Sequence, residues 1–383
     1  MSVSVQWRFY ASFTVDHTKV SADQTDFPVP LVWSGNTATS NMPSDPLIYG
    51  TQRAAKLTGA DIRFTSDSFG VTELPFELVQ FSQTTSETTA RCEIHVKLSA
   101  VSSSTDTVFY MWWGNPYASA YATTDTYGRN AVWSSSYISV WHMNEASGSA
   151  MTDSSGNLDA TYQSALPSRQ AQGPMGSSQL FSNVANCWAF LNSASKWGFN
   201  GGTENMTLMA ISKRVTSGEY QSLFSKCDGN SSSDWGNLRW EWYESVGGDG
   251  TEGQVWRGTL GGDFISSSTT VGVTSSTAYD HLVYTYNHVN GINYINNSAE
   301  TIITDTGNLP DDTYDSCVIG NWNGNPGSDQ LRSYVDELRV SNTARSSTWI
   351  TTEYNALISP QTFISRGVVK ASSIPTMRSV VIF

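Results

Sequence analysis

Arg91-Cys92-Glu93-Ile94-His95-Val96-Lys97-Leu98 alternates polar and apolar residues without a break. Successive side chains of a strand point to opposite faces. Cys92, Ile94, Val96 and Leu98 therefore share one face, and Arg91, Glu93, His95 and Lys97 the other. That pattern predicts an antiparallel strand with one face buried and one in water. Period-2 runs bounded by turn-formers recur at 4–15, 60–65, 75–81 and 107–113, and Gly114-Asn115-Pro116 closes the group.

The composition extends this reading to the whole chain. Of 383 residues only 14% are charged, while 12% are aromatic, with 14 Trp. Aromatic and β-branched residues suit half-buried pleated surfaces, and the abundant Gly, Asn and Ser suit the turns between them. No stretch has the length and Ala/Glu/Lys/Leu richness of a long helix. The expectation is an all-β chain of two β-sandwiches in tandem.

Net charge is −13 and uneven. Residues 1–130 hold 12 acids and 8 bases, 131–357 hold 22 and 10, and 358–383 hold 3 bases and no acid. An acidic body argues against a nucleic-acid partner, since neutralising phosphate takes Lys and Arg. No apolar run approaches the ~20 residues of a membrane span, so no membrane insertion is expected. Met1-Ser-Val-Ser-Val-Gln-Trp7 has neither the basic nor the apolar region of a secretory signal. Cys92, Cys187, Cys227 and Cys317 lie far apart with no zinc spacing. Four reduced buried thiols are expected, with a Cys187–Cys227 or Cys227–Cys317 bridge as alternatives.

Two resemblances organise the chain. The opening Trp7-Arg8 strand, Gly59-Ala-Asp-Ile-Arg-Phe-Thr65, Leu74-Pro-Phe-Glu77 and Phe109-Tyr-Met-Trp-Trp-Gly-Asn-Pro116 resemble, in order, the family known as DUF2341. That resemblance implies a β-sandwich and no defined activity. Further on, Ile138-Ser-Val-Trp141-His142 runs into Asp153-Ser-Ser-Gly156-Asn157. Ser222-Leu-Phe-Ser-Lys226, Tyr279-Asp-His281-Leu-Val-Tyr-Thr-Tyr286, Asn290-Gly-Ile-Asn-Tyr-Ile295, Val318-Ile-Gly320-Asn321 and Tyr334-Val-Asp336-Glu337-Leu-Arg339-Val340 follow. This series is similar to LamG-like (concanavalin A-like) jelly rolls. The expected domains are a DUF2341-like sandwich at 1–130, a LamG-like jelly roll at 131–357, and a tail at 358–383. The jelly roll should close with a short helix from Ser346. The β-branched, acid-free tail should form a last strand on the first sandwich or on a partner, the alternative being an anchor that orders on docking.

Catalytic patterns are missing from the sequence. Trp240-Glu241-Trp242-Tyr243-Glu244 draws attention because glycosidases need two carboxyls ~5 Å or ~6.5–9.5 Å apart. Residues 241 and 244 of a regular strand fall on opposite faces, which excludes that dyad. There is no Gly-x-Ser-x-Gly, no His-Glu-x-x-His and no Walker A motif. His142 and His281 read as satisfied sandwich residues. No catalytic residues are assigned.

Binding patterns are present. Asp153-Ser-Ser-Gly-Asn157 offers a carboxylate and an amide on a tight turn, the hard oxygens that calcium takes. The LamG resemblance implies one structural Ca2+ held by Asp153, Asn157 and Asp336; the alternative is an Asx-stabilised turn. Trp322, flanked by Asn321 and Asn323, and Trp235 sit in very polar loops, where an indole face stacks on a pyranose ring and neighbouring amides orient it. Elsewhere Trp141 and Trp188 fit apolar alternation as core. The function expected is a non-enzymatic virion structural or surface protein: a capsid decoration, head-fibre or tail-fibre component, exposed at the virion surface. Its expected partners are other virion or surface proteins, through the N-terminal domain or tail, and glycans; a homo-oligomer is expected. The alternatives are a bacterial surface or secreted carbohydrate-binding adhesion module and, behind it, a glycoside hydrolase.

Overall fold

The computed structural model describes residues 6–133, 136–182, 187–192, 205–215, 221–227, 238–244, 251–256, 264–268, 277–287, 290–299, 303–304, 316–321 and 330–372. The protein is all-β, and its chain divides into two compact units. One comprises residues 1–132 and 355–383, the other 133–354. The first unit is thus assembled from both ends of the chain.

In the first unit, β1 (Phe9–Val15), β6 (Thr107–Trp113) and β3 (Arg63–Thr65) form one antiparallel sheet in that order. β2 (Gln24–Trp33), β5 (Arg91–Val101) and β4 (Phe76–Ser82) form the other. Phe64 of the first sheet packs against Phe76 of the second with ring centres 5.2 Å apart, and Phe13 stacks on Phe109 at 5.4 Å. This is a sandwich core, and each such buried ring contributes about 1.5–3 kcal/mol of burial free energy. The tail completes it. Ile364–Arg366 and Lys370–Ala371 pair antiparallel with β1, Val15 opposite Ile364 and Tyr10 opposite Lys370. Residues 373–383 lie outside the described residues.

Two features depart from the alternation pattern. β2 carries Pro28 and Pro30, which argue against a strand in sequence. It is an edge strand of its sheet, paired there with β5, and its other side meets Asn41 and not a strand, so prolines without an N–H are tolerated on that side. On β5, Cys92, Ile94, Val96 and Leu98 are buried as expected, but so are Glu93 and His95. The expected water-facing side is therefore dry at those two positions. Glu93 Oε1 and His95 Nε2 lie 3.1 Å apart, which pairs the buried charge.

The second unit is a larger sandwich. One sheet runs Ser168–Gln172, Ser177–Leu180, Ser333–Ser341, Met206–Arg214, Asp280–Tyr286, Asn290–Ile295, with Tyr137–Trp141 also on Ser333–Ser341. The facing sheet runs Phe264–Ser268, Thr251–Trp256, Leu238–Glu244, Gln221–Cys227, Ser316–Ile319, Ala189–Asn192, Ala160–Tyr162, Ala150–Met151. Trp141, Leu208, Tyr284 and Leu338 from the first meet Leu191, Phe224 and Ile319 from the second in one buried cluster. Trp188, 4% exposed, is buried as well. Strand Leu238–Glu244 pairs with Thr251–Trp256 without a register shift from Trp240 to Glu244, so positions 241 and 244 belong to opposite faces. Cys92, Cys187 and Cys317 are buried free thiols, which removes both alternative bridges. A helix, Ser347–Ile358, begins where Ser346 Oγ accepts from Trp349 N–H at 3.2 Å.

Candidate functional site

The loop expected to hold calcium is locked by its own carboxylate. Asp153 Oδ1 accepts from the N–H groups of Val140 (2.8 Å) and Ser155 (2.9 Å), and Oδ2 from those of Asn157 (3.1 Å) and Leu158 (2.8 Å). Ser155 Oγ donates to the same carboxylate. Burial raises the Asp153 pKa, and these donors, Val140 first, offset part of the rise. Asn157 turns its amide inward, donating to Ile138 C=O at 2.9 Å. Lone pairs committed to so many N–H groups are not turned toward a cation.

Asp336 stands elsewhere. On strand Ser333–Ser341, Leu338 pairs with Ala210 but Val335 with Ser212, so Asp336 and Glu337 together oppose Ile211 in a β-bulge. Asp336 Oδ2 accepts from Met175 N–H at 2.8 Å, under the turn 173–176. Gly173 is required there, since a Cβ on it would collide with the carboxylate. The other oxygen, Oδ1, is buried without a hydrogen-bond partner among the described residues. Burial, then the neighbouring Glu337, push this carboxyl well above the usual range. Val140, which holds Asp153, pairs with Arg339, three residues or about 10 Å along the strand from Asp336. Of the expected set, Asp153 and Asn157 tie one loop and Asp336 sits under another turn.

The histidines expected to be satisfied are joined by a buried ionic chain. His142 Nδ1 lies 2.6 Å from Glu337 Oε1, and Arg339 Nε donates to Glu337 Oε2 at 2.9 Å. Arg339 Nη1 donates to Glu353 Oε1 at 3.1 Å, and Glu353 Oε2 is 3.4 Å from His281 Nε2. Burial pushes the Glu353 carboxyl up, and the bond from His281 with the Arg339 charge brings it below the usual range. Beside this chain, Tyr137, Thr207, Arg339, Arg345 and Trp349 line a cavity of about 10 Å³, room for one water. The arrangement fastens the helix that bears Glu353 to the outer face of the sheet. It holds nothing larger than solvent.

A cluster that the alternation pattern does not reveal lies at the strand edges, with Tyr162 and Gln179 buried and Glu145 and Arg169 partly exposed. Tyr162 donates its hydroxyl to Gln179 Oε1, and Gln179 Nε2 donates to Glu145 Oε2 at 2.7 Å. The Arg169 guanidinium carbon is 5.1 Å from the centre of the Tyr162 ring, and its Nη2 donates to Gly148 C=O at 2.6 Å. Arg169 Nε and Nη1 are buried with no acceptor among the described residues. The four side chains come from positions 145, 162, 169 and 179, on different strands and loops, and only pairing brings them together. The expected sugar-stacking residues are placed differently. Asn321 is buried, its C=O accepting from Ser225 Oγ at 3.0 Å, so it belongs to the sandwich wall. Trp235, Trp322 and Asn323 lie outside the described residues.

No family model matches the chain, and no curated protein matches it. Among solved structures it is similar to the binding domain of botulinum neurotoxin serotype D, at TM-score 0.43 and 14% identity over 60% of this chain and 52% of that one. The binding domain of Paraclostridial Mosquitocidal Protein 1 gives TM-score 0.43 and 13% identity, over 58% and 52%. Trypanosoma rangeli sialidase with 2,3-difluorosialic acid gives 0.40 and 14%, over 57% and 33%. The chain spans about half the length of the first two. Likeness at this level carries no function across.

Proposed function

We propose that this chain is a non-enzymatic surface component of a virus particle, and that its second unit is a LamG-like module that binds glycans. The observation that carries the glycan reading is the edge cluster of Arg169, Tyr162, Gln179 and Glu145. Guanidinium nitrogens without acceptors are costly, and the partly exposed Arg169 side chain can turn them toward oxygens from outside the protein. Sugar hydroxyls, each a donor and an acceptor, match guanidinium donors and the remaining lone pairs of the Glu145 carboxylate. Trp322 and Trp235 are the stacking residues this reading adds.

The non-enzymatic part is supported by how the carboxylates are used. Asp153, Glu337 and Glu353 are each bonded into the fold. The particle location rests on sequence character: an aromatic, Ser/Thr/Asn-rich and acidic chain.

Glycan-array binding should fall at least tenfold in Arg169→Ala and in Trp322→Ala, while the thermal midpoint moves by less than the roughly 4 °C expected of a 1 kcal/mol change. Unchanged binding in both variants would retire the glycan reading. Mass spectrometry of purified particles should find the chain; its absence would retire the virion reading.

A further inference from the structure

The helix Ser347–Ile358 lies over the outer face of the sheet that bears Arg339, and the ionic chain does not consume all the polar groups enclosed between them. Trp349 and Glu353, one turn apart, share a face of that helix. In the sheet, register sets Ser341 beside both Tyr137 and Thr207, and Arg339 is on the same face two residues before it. These side chains, with Arg345, line the cavity of about 10 Å³. Tyr137 Oη and Arg339 Nη2 are buried, and neither atom has a hydrogen-bond partner among the described residues. Arg339 is 2% exposed and Tyr137 8%. A buried donor left without an acceptor is costly, so two of them on one cavity ask for an occupant.

The chemistry of the lining selects that occupant. The Arg345 guanidinium carbon stands 3.9 Å from the Trp349 ring centre and 4.8 Å from that of Tyr137, so a second cation flanks the cavity. Burial raises the Tyr137 hydroxyl above its usual range against the pull of Arg345, so it keeps its proton and donates at neutral pH. Two lining oxygens are already engaged. Thr207 Oγ1 accepts from Arg345 N–H at 2.9 Å and donates to Thr343 C=O at 2.7 Å, and Glu353 Oε1 accepts from Arg339 Nη1 at 3.1 Å. Two guanidinium groups against one carboxylate leave the lining one positive charge. Glu337, the next carboxylate, is divided between Arg339 Nε and His142. A water would accept from both donors yet leave that charge unbalanced. A monatomic anion accepts from both, donates nothing and balances it. Size agrees: the cavity takes a water or an ion close to it in size, and excludes sulfate, phosphate and any carboxylate.

We propose that this cavity is a halide site: one chloride ion accepts from Tyr137 Oη and Arg339 Nη2 between the Arg339 and Arg345 guanidinium groups, and so fastens the helix to the sheet. The site is separate from the Arg169 cluster and does not rest on the glycan reading. The test replaces sodium gluconate by sodium chloride around the full chain at constant ionic strength and pH. An ion that binds only the folded state raises the thermal midpoint with the logarithm of its concentration, here by about 4 °C or more between roughly 1 and 100 mM. Tyr137→Phe keeps the ring and removes one donor, so its chloride response should move to concentrations roughly tenfold higher or more. Arg169→Ala should keep the wild-type response, which separates this site from the one proposed above. Crystals grown in sodium bromide should show an anomalous peak within hydrogen-bond reach of Tyr137 Oη and Arg339 Nη2. A midpoint indifferent to the anion, an equal chloride response in Tyr137→Phe, or a water where the bromide peak is expected would overturn the proposal.

Discussion

Aspartates in this protein do four different jobs, and neighbours decide which. Asp61 is fully buried and accepts three backbone N–H bonds, from Ala55 (2.8 Å), Lys56 (2.9 Å) and Gly114 (2.7 Å). Asp61→Ala would strand all three donors and should cost about 3 kcal/mol or more, measured by urea unfolding. At Asp67, burial pushes the carboxyl up, but N–H groups of Thr72, Val71 and Phe69 outweigh it and hold it below its usual value. Asp153 locks its loop, as described. Asp336 is the opposite case, with a raised pKa. A carboxyl raised in the folded state stabilises fully below its unfolded pKa, and that contribution is lost as pH rises through the folded value. Asp336→Asn removes this dependence, so the variant should gain on the wild type in thermal midpoint as pH rises from 4 to 9. If Asp336 instead held a cation, the wild type would lose stability to a chelator and the variant would not.

Among the elements, the strand Ser333–Ser341 does the most. It pairs with three others, carries the bulge that positions Asp336, and supplies Glu337 and Arg339 to the ionic chain. Arg339 sits between two buried carboxylates, with its guanidinium 4.9 Å from the Trp133 ring centre. Arg339→Met would remove the cation both carboxylates share and leave each with only its histidine in a dry setting, and the second unit should lose about 3–5 kcal/mol in denaturant unfolding. Replacing Glu337, Arg339 and Glu353 together by apolar residues of similar volume should recover most of that loss. The same strand shows the limits of local pattern. Tyr334-Val-Asp336-Glu337-Leu-Arg339-Val340 reads as a strand at once, yet the bulge is a property of its pairing with Met206–Arg214. β2 is the reverse case: Pro28 and Pro30 hide it in sequence, and its edge position makes it possible.

For the whole molecule, the decisive fact is that the first unit takes its last strands from the far end of the chain. Ile364–Arg366 and Lys370–Ala371 cover β1, which would otherwise be a sheet edge with unpaired N–H and C=O groups. A chain truncated after Ser359 should therefore lower the unfolding midpoint of the first unit by several degrees and shift size-exclusion elution toward larger species. Unchanged elution and midpoint would show that the closing strands are dispensable.

What the sequence determined by itself was the periodicity: an all-β chain, strands near 91–98 and 107–113, the helix from Ser346, and core positions for Trp141 and Trp188. Those follow from nearest-neighbour physics, alternation and capping, which need no knowledge of the rest of the chain. Only the tertiary structure decided how polar groups are used. It buried Glu93 and His95, filled the Asp153 carboxylate with N–H donors, set Asp336 under the 173–176 turn, and gathered Glu145, Tyr162, Arg169 and Gln179 from separate segments. The reason is physical: a buried polar atom takes whichever partner the folded chain places within hydrogen-bond reach, and that partner is set by strand register and not by the residues beside it in sequence.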